Sequence, residues 1–329
     1  ERGLGAFYTA AINDADVAAL LKLRRRRLSC SRTGRCPMSP YRRILLIMTK
    51  AQANAALDRA MALAAASGAS LHVLGIHEPG ELRLRHELPT PPRPCVSFVH
   101  FRTALKALLD EQPARGARPG FEAVETSDPR DLVPACIARY APDLVINDCS
   151  GCSLIDQRAR TSLDQVLLHG SEVPLMFVPA NAPAMPASVL VAVDVSHASP
   201  LNDALVMAGQ QLATQCQGQL NLLSAYDLPI AMLANPDLAG PWADEVRESL
   251  QLPFDALADA HGIAHNHRFF SEGAPLRVIK AHIAALGADV VVVGAVQARR
   301  WAKLIGDTTE RLVSHAPCSI LTIRPTPGS

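Results

Sequence analysis

A run of five apolar residues, Ile44-Leu45-Leu46-Ile47-Met48, returns as Val189-Leu190-Val191-Ala192-Val193, and the segments after each copy follow in the same order. Continuous Ile, Val and Leu runs of this length mark strands buried on both faces, as in parallel sheets. Self-similarity over such a span fixes the architecture before any single element does. Each copy continues with an Ala-rich segment of helical spacing, Ala53 to Ser67 and Ala198 to Cys216, and a second strand, Leu71 to Ile76 and Leu220 to Ala225. A Pro-containing loop and a helix then lead to a third strand, Phe121 to Thr126 or His267 to Ser271. The next helix opens at Asp128-Pro129, or at Gly273 and Pro275; proline suits a first helical turn because its missing N–H is not needed there. The fourth strands start at Leu144 and Val290, and an amphipathic helix and a last strand, Leu175 to Val178 or Ile320 to Ile323, close each copy.

Strands alternating with helices form right-handed βαβ crossovers and a parallel sheet covered on both faces. The expected fold is α/β, with two tandem doubly wound domains of five parallel strands each. The Pro-rich stretch 179–186 marks the boundary. The domains expected are 38–180 and 181–329, and a chain of 329 residues gives each its own core. Residues 1–37 look foreign to this pattern. They carry Arg24 to Arg27 after an apolar stretch, the reverse of a secretory signal, and Met38 stands just before the first strand. They read as a translated leader or an appended segment; a DNA-binding arm is the alternative.

Lys+Arg 32 against Asp+Glu 31 leaves a net charge of +1, without the clustered basic surface that nucleic-acid binding needs. No apolar stretch approaches the roughly 20 residues of a membrane helix. Eight cysteines in this length are too few for a disulfide scaffold and point to a reducing, cytoplasmic setting. At 4%, aromatics are too scarce for a stacking platform.

The order of elements, with Val191-Ala192-Val193-Asp194, Gly294-Ala295-Val296-Gln297, Gly306-Asp307-Thr308-Thr309-Glu310 and His315-Ala316-Pro317-Cys318-Ser319-Ile320-Leu321, resembles the universal stress protein family, and within it the tandem E-type members. The likeness covers about residues 40 to 326. It implies an adenine nucleotide alpha hydrolase-like, Rossmann-like sheet with a ligand cleft at the carboxyl ends of the strands, where loops diverge at the topological switch point. It also implies that the two copies pack as a pseudo-symmetric pair, as two chains do in single-domain relatives, with a homodimer of tandem chains left open.

Nucleotide-binding members of the family carry Gly-x2-Gly-x9-Gly-Ser/Thr after the fourth strand, where glycines let backbone N–H groups approach phosphates at a helix start. Gly294 and Gly306 match the outer glycines; Gln297 replaces the inner one, the intervening loop is one residue short, and Asp307 stands where the hydroxyl is expected. A carboxylate about 4 Å from a phosphate costs a few kcal/mol in partly exposed surroundings; Arg299, Arg300 and Lys303 offset part of it, and Thr308 can supply the hydroxyl. The plainer reading makes Asp307 a helix cap. Asp194 is the residue that the family places near the adenine or ribose. The first copy departs further: Asp148-Cys149-Ser150-Gly151-Cys152 replaces the glycine loop, Thr161-Ser162 stand at Asp307-Thr308, and Thr49 stands at Asp194.

The only plausible ligand site is therefore expected in the second copy, at Asp194, Val195, Gly294, Gln297, Gly306, Asp307 and Thr308. The apolar segment Leu228 to Pro236 reads as a lid over that cleft or as packing on its own sheet, its counterpart Pro79 to His100 being Pro-rich and charged. A lid with a spoiled phosphate loop favours an apolar or amphiphilic ligand over ATP. Cys149 and Cys152 have the spacing of a redox dithiol or half a zinc site, or are two small loop residues. His261, His265 and His267 lie close together, the last two on alternate residues that would share one strand face and could hold a metal; with no third assignable ligand they read as a solvent-facing pair at the strand entry, and packing accounts for His315. No elbow serine, Walker loop or metalloprotease helix occurs. The function expected is non-catalytic small-molecule binding under stress, with ATP binding and weak hydrolysis, or a thiol switch, as alternatives. No cofactor is required on this reading.

Overall fold

In a computed structural model, the structure describes residues 41–77, 96–112, 118–126, 129–149, 163–196, 199–227, 236–295 and 307–324. The first repeat comprises β1 (Arg43–Met48), α1 (Ala55–Ser67), β2 (Ser70–His77), α2 (Val96–Asp110), β3 (Gly120–Glu125), α3 (Pro129–Tyr140), β4 (Leu144–Asp148), α4 (Leu163–Gly170) and β5 (Leu175–Val178). The second comprises β6 (Ser188–Val193), α5 (Pro200–Cys216), β7 (Gln219–Tyr226), α6 (Pro236–Ala260), β8 (Arg268–Glu272), α7 (Pro275–Leu286), β9 (Val290–Gly294), α8 (Asp307–Ser314) and β10 (Ser319–Ile323).

The strands form one sheet in the order β3-β2-β1-β4-β5-β10-β9-β6-β7-β8. Within each half every pair is parallel, and the halves meet where β5 and β10 pair antiparallel, with Phe177 opposite Ile320, Met176 opposite Leu321 and Leu175 opposite Thr322. The two expected five-stranded sheets are thus halves of a ten-stranded one, related by a pseudo-two-fold axis through this seam. Each of β5 and β10 would otherwise leave an apolar edge with unpaired backbone groups exposed to water; pairing buries all four residues of β5 and all five of β10.

The continuous apolar runs reflect two cores, one on each face. Ile44, Leu46 and Met48 join Leu57, Leu63 and Leu105, with Val189, Leu205 and Phe254 of the second repeat. Leu45 and Ile47 face the other way, with Val133 and Leu167 and with Leu190, Val278 and Leu312. Both cores cross the seam.

The repeats share their local devices as well. Asp143 Oδ2 accepts from Arg42 N and Arg43 N at 2.7 and 2.9 Å, and Asp289 Oδ2 accepts from Ala187 N and Ser188 N at 2.7 and 3.1 Å. In each copy the acid ahead of the fourth strand holds the entry of the first. α1 is capped by Asn54, whose Oδ1 accepts from Leu57 N, and α5 by Ser199 followed by Pro200. The chain between the repeats is held from α1: Arg59, with no exposed surface, donates through Nε and Nη2 to Pro183 O at 3.0 and 2.6 Å.

Candidate functional site

The carboxyl ends of the strands converge twice, once in each repeat. In the second repeat β6 runs into Asp194, exposed, and Val195, buried. The Asp194 carboxylate turns back on its own loop: Oδ1 accepts from Ser196 N at 3.0 Å and from Ser196 Oγ at 2.5 Å. Its backbone is held by Asn202 of α5, whose Nδ2 donates to Asp194 O at 2.5 Å. Next to β6, β9 ends at Gly294. A Cβ there would lie 2.8 Å from Leu201 Cδ2, so glycine lets this strand end close on the first turn of α5. Thr309 Oγ1 donates to Gly294 O at 3.0 Å and so fastens α8 to β9. Thr308, half-buried, stands beside it, and Asp307 is the first residue of α8. Of the residues expected at this site, the structure therefore gathers Asp194, Val195, Gly294 and Thr308, with Thr309 added. Gln297, Gly306 and the side chain of Asp307 lie outside the described residues, as do the Leu228-to-Asn235 stretch of the lid and residues 1–37.

The first repeat fills the same place differently. β4 and β9 have equal length and equivalent register against β1 and β6, which puts Asp148 where Gly294 stands and Cys149 where Ala295 stands. Cys149 N donates to Val178 O and Ala295 N to Ile323 O, at 2.9 and 2.8 Å. Asn54, the cap of α1, donates through Nδ2 to Asp148 Oδ2 at 3.0 Å. Buried Asn147 donates through Nδ2 to Asp164 Oδ1 at 2.6 Å. The Cys149 thiol lies 3.9 Å from Asp164 Oδ2 and donates to Val313 O, across the seam, at 3.3 Å. Burial pushes the Asp164 carboxyl up to about 6, the Asn147 hydrogen bond opposes this, and the Asp148 charge adds to it.

Asn54, Asn147 and Asp164 were not singled out in the sequence. Asn147 carries a readable signal, a polar residue that directly follows the apolar run Leu144-Val145-Ile146. Asp164 carries none until the topology sets the first turn of α4 against the end of β4.

The histidines divide. His265 and His267 sit in a 3-10 turn rather than on alternate residues of a strand, so they do not share a strand face. His267 is not solvent-facing: its Nδ1 lies 2.9 Å from Oδ1 of buried Asn221. His261 Nε2 pairs with Asp203 Oδ1 at 2.7 Å, tying the end of α6 to α5. His315 is exposed one residue past α8, so packing does not account for it as expected. Among the described residues no three His, Cys, Asp or Glu side chains are grouped to hold a metal, and no helix is long and apolar enough to cross a membrane. Cys136, Cys149, Cys216 and Cys318 are not in disulfides. Burial pushes the Cys216 thiol up to about 11 and the Cys318 thiol to about 12.

Comparison with known proteins settles the lineage of the repeated unit. The model of the universal stress protein family matches residues 40–179 and again 185–324. The chain belongs to that family, as a tandem member. It is similar to the universal stress protein E homolog of Haemophilus influenzae, 28% identical over 233 residues, covering 68% of this chain and 75% of that protein. It is also similar to universal stress protein E of Escherichia coli, 28% identical over 192 residues, covering 56% of this chain and 61% of the relative. A crystal structure of a protein of unknown function from Pseudomonas aeruginosa superposes with a TM-score of 0.66 at 18% identity, covering 87% of this chain and 94% of that one. A universal stress protein from Archaeoglobus fulgidus superposes with a TM-score of 0.52 at 15% identity, covering 85% and 98%. These solved structures share the fold.

Proposed function

We propose that this universal stress protein is a non-catalytic, small-molecule-binding protein of the stress response, cytoplasmic, with its one ligand site at the second-repeat cleft. The residues assigned there are Asp194, Val195, Gly294, Gln297, Gly306, Asp307 and Thr308. The observation that carries this reading is the contrast at one position. In the first repeat it holds Asp148, bonded to Asn54 and beside the Asn147–Asp164 pair. In the second it holds Gly294, which presents only backbone to the cleft. At the first mouth the Asp148 and Asp164 side chains and their partners Asn54 and Asn147 occupy the space that a ligand would use, where Gly294 adds no side chain at the second.

The ligand class is apolar or amphiphilic. Gln297 and Asp307 replace the glycine and hydroxyl residues that a phosphate chain needs, and Asp194 adds a second carboxylate to the same mouth. The non-catalytic assignment rests on the sequence, which offers no hydrolytic motif and no assigned base. Weak ATP binding at the same residues is the second reading, favoured by Thr308 and by the Gly294–Thr309 contact that fastens the start of α8.

A thermal-shift titration with magnesium and ATP separates the two. A ligand at a hundredfold excess over its dissociation constant stabilises the folded state by about 2.7 kcal/mol, a shift of several degrees. Millimolar ATP is expected to leave the melting temperature unchanged. A saturable upward shift, diminished in Thr308→Ala, would replace this reading with the nucleotide one.

A further inference from the structure

Helix α8 is fastened at both ends, to a different repeat at each. Near its start Thr309 Oγ1 holds Gly294 O, the last residue of β9 in its own repeat. Near its end Val313 O accepts the thiol proton of Cys149, one residue beyond β4 of the other repeat. The carbonyls of a last helical turn have no partner within the helix, so the thiol supplies a donor to an acceptor that α8 leaves open. The contact is set in a packed surround: Leu312 and Val313 share the core cluster with Leu167 and Leu168 of α4. The pseudo-two-fold counterpart of Cys149 is Ala295, which has no side-chain donor. The thiol link therefore has no counterpart in the other direction, where Arg324 of the second repeat instead donates to Leu168 O near the end of α4.

We propose that Cys149 is a positioning residue for the second-repeat ligand site, acting through α8, so that the first repeat regulates a site it does not itself contain. This rests on the second-repeat cleft being the ligand site. A helix of eight residues is about 12 Å long and moves as a body. Releasing Val313 at one end therefore loosens Thr308, Thr309 and the Gly294 contact at the other. Any event that removes the Cys149 proton donor, alkylation included, has the same consequence.

Hydrogen–deuterium exchange on the full chain, without added ligand, tests this. Cys149→Ala is expected to speed exchange in peptides covering 307–315 and 290–295 by about threefold to tenfold, the effect of losing one net hydrogen bond. Cys149→Ser keeps a donor and is expected to stay within about twofold of the wild type. Cys136→Ala truncates a buried thiol of α3 in the same repeat and is expected to leave 307–315 unchanged. Wild-type rates in 307–315 and 290–295 for Cys149→Ala would overturn the proposal. So would a Cys149→Ser variant that exchanges like Cys149→Ala, or a Cys136→Ala variant that loosens α8 equally. Because no ligand is added, these outcomes are independent of whether the second cleft binds one, which the titrations report separately.

Discussion

Replacing Arg59 with Ala lowers the stability of the chain by about 3–5 kcal/mol, the cost of emptying a large buried site and leaving a buried acceptor unpaired. The guanidinium has no exposed surface, and two of its nitrogens converge on Pro183 O. Its third nitrogen lies 3.8 Å from Met176 Sδ of β5, which pairs with Leu321 at the middle of the seam. Pro183 has no N–H, so its carbonyl is the hydrogen-bonding group through which the inter-repeat chain can be held there. Burial lowers the Arg59 pKa, with Cys216, Asp289 and Cys318 acting in the opposite direction. Removing the charge therefore returns part of a desolvation penalty. Arg59→Met separates the two effects: it keeps the apolar stem against the core and gives up only the donors. The expected order in urea unfolding is wild type, then Arg59→Met, then Arg59→Ala, with faster proteolysis within 179–187 in both variants. A methionine variant at least as stable as the wild type would mean that desolvation of the cation outweighs its hold on Pro183.

The second large effect is pH-dependent and has the opposite sign. Partial burial pushes the Asp164 carboxyl up to about 6 in the folded chain, against an ordinary value of 3.8. A carboxyl whose folded pKa is raised binds more protons folded than unfolded, so its contribution falls as pH rises from about 4 to about 6. Above that window the folded chain carries a disfavoured carboxylate at a cost on the order of 2–3 kcal/mol. Asp164→Asn retains an oxygen for the Asn147 bond and never ionises. It is expected to match the wild type near pH 4 and to exceed it by roughly that amount at pH 7.5. The measurement is the difference in unfolding free energy between the two chains at each pH. A gap that stays constant across this range, or a variant less stable throughout, would contradict the burial of this acid as its cause.

Much of the fold was legible because it is written in runs long enough to be unambiguous. Leu175-Met176-Phe177-Val178 and the two first strands are apolar without alternation, and such strands have a face in each of two cores. The same feature made the seam hard to see. A strand buried on both faces looks alike in sequence whether its outer edge meets solvent or another strand, so the pairing of β5 with β10 had to come from three dimensions. Arg59 carries no signal of its place: next to Asp58 in an Ala-rich helix a charge reads as surface, and its burial depends on Pro183, far along the chain. His265 and His267 failed as an alternating pair because Asn266 lies in a 3-10 turn that ends before β8 begins. At the second mouth, Asp194, Gly294 and Thr308 stand out in the sequence because the family's pattern aligns with them. Asp164 and Cys149 could not be assigned their contacts, since these run to β4 from a later helix and across the seam to Val313.

Native mass spectrometry of the full chain, purified without detergent and titrated with monolaurin below its aggregation concentration, tests the single-site assignment most directly. The result predicted is one small molecule per chain, either already bound or taken up as monolaurin, lost in Asp194→Arg and Thr308→Arg. It is retained in Thr49→Arg, the equivalent substitution in the first repeat. No bound molecule at any concentration, two equivalents per chain, or one equivalent that survives the second-repeat substitutions and disappears in Thr49→Arg would contradict it.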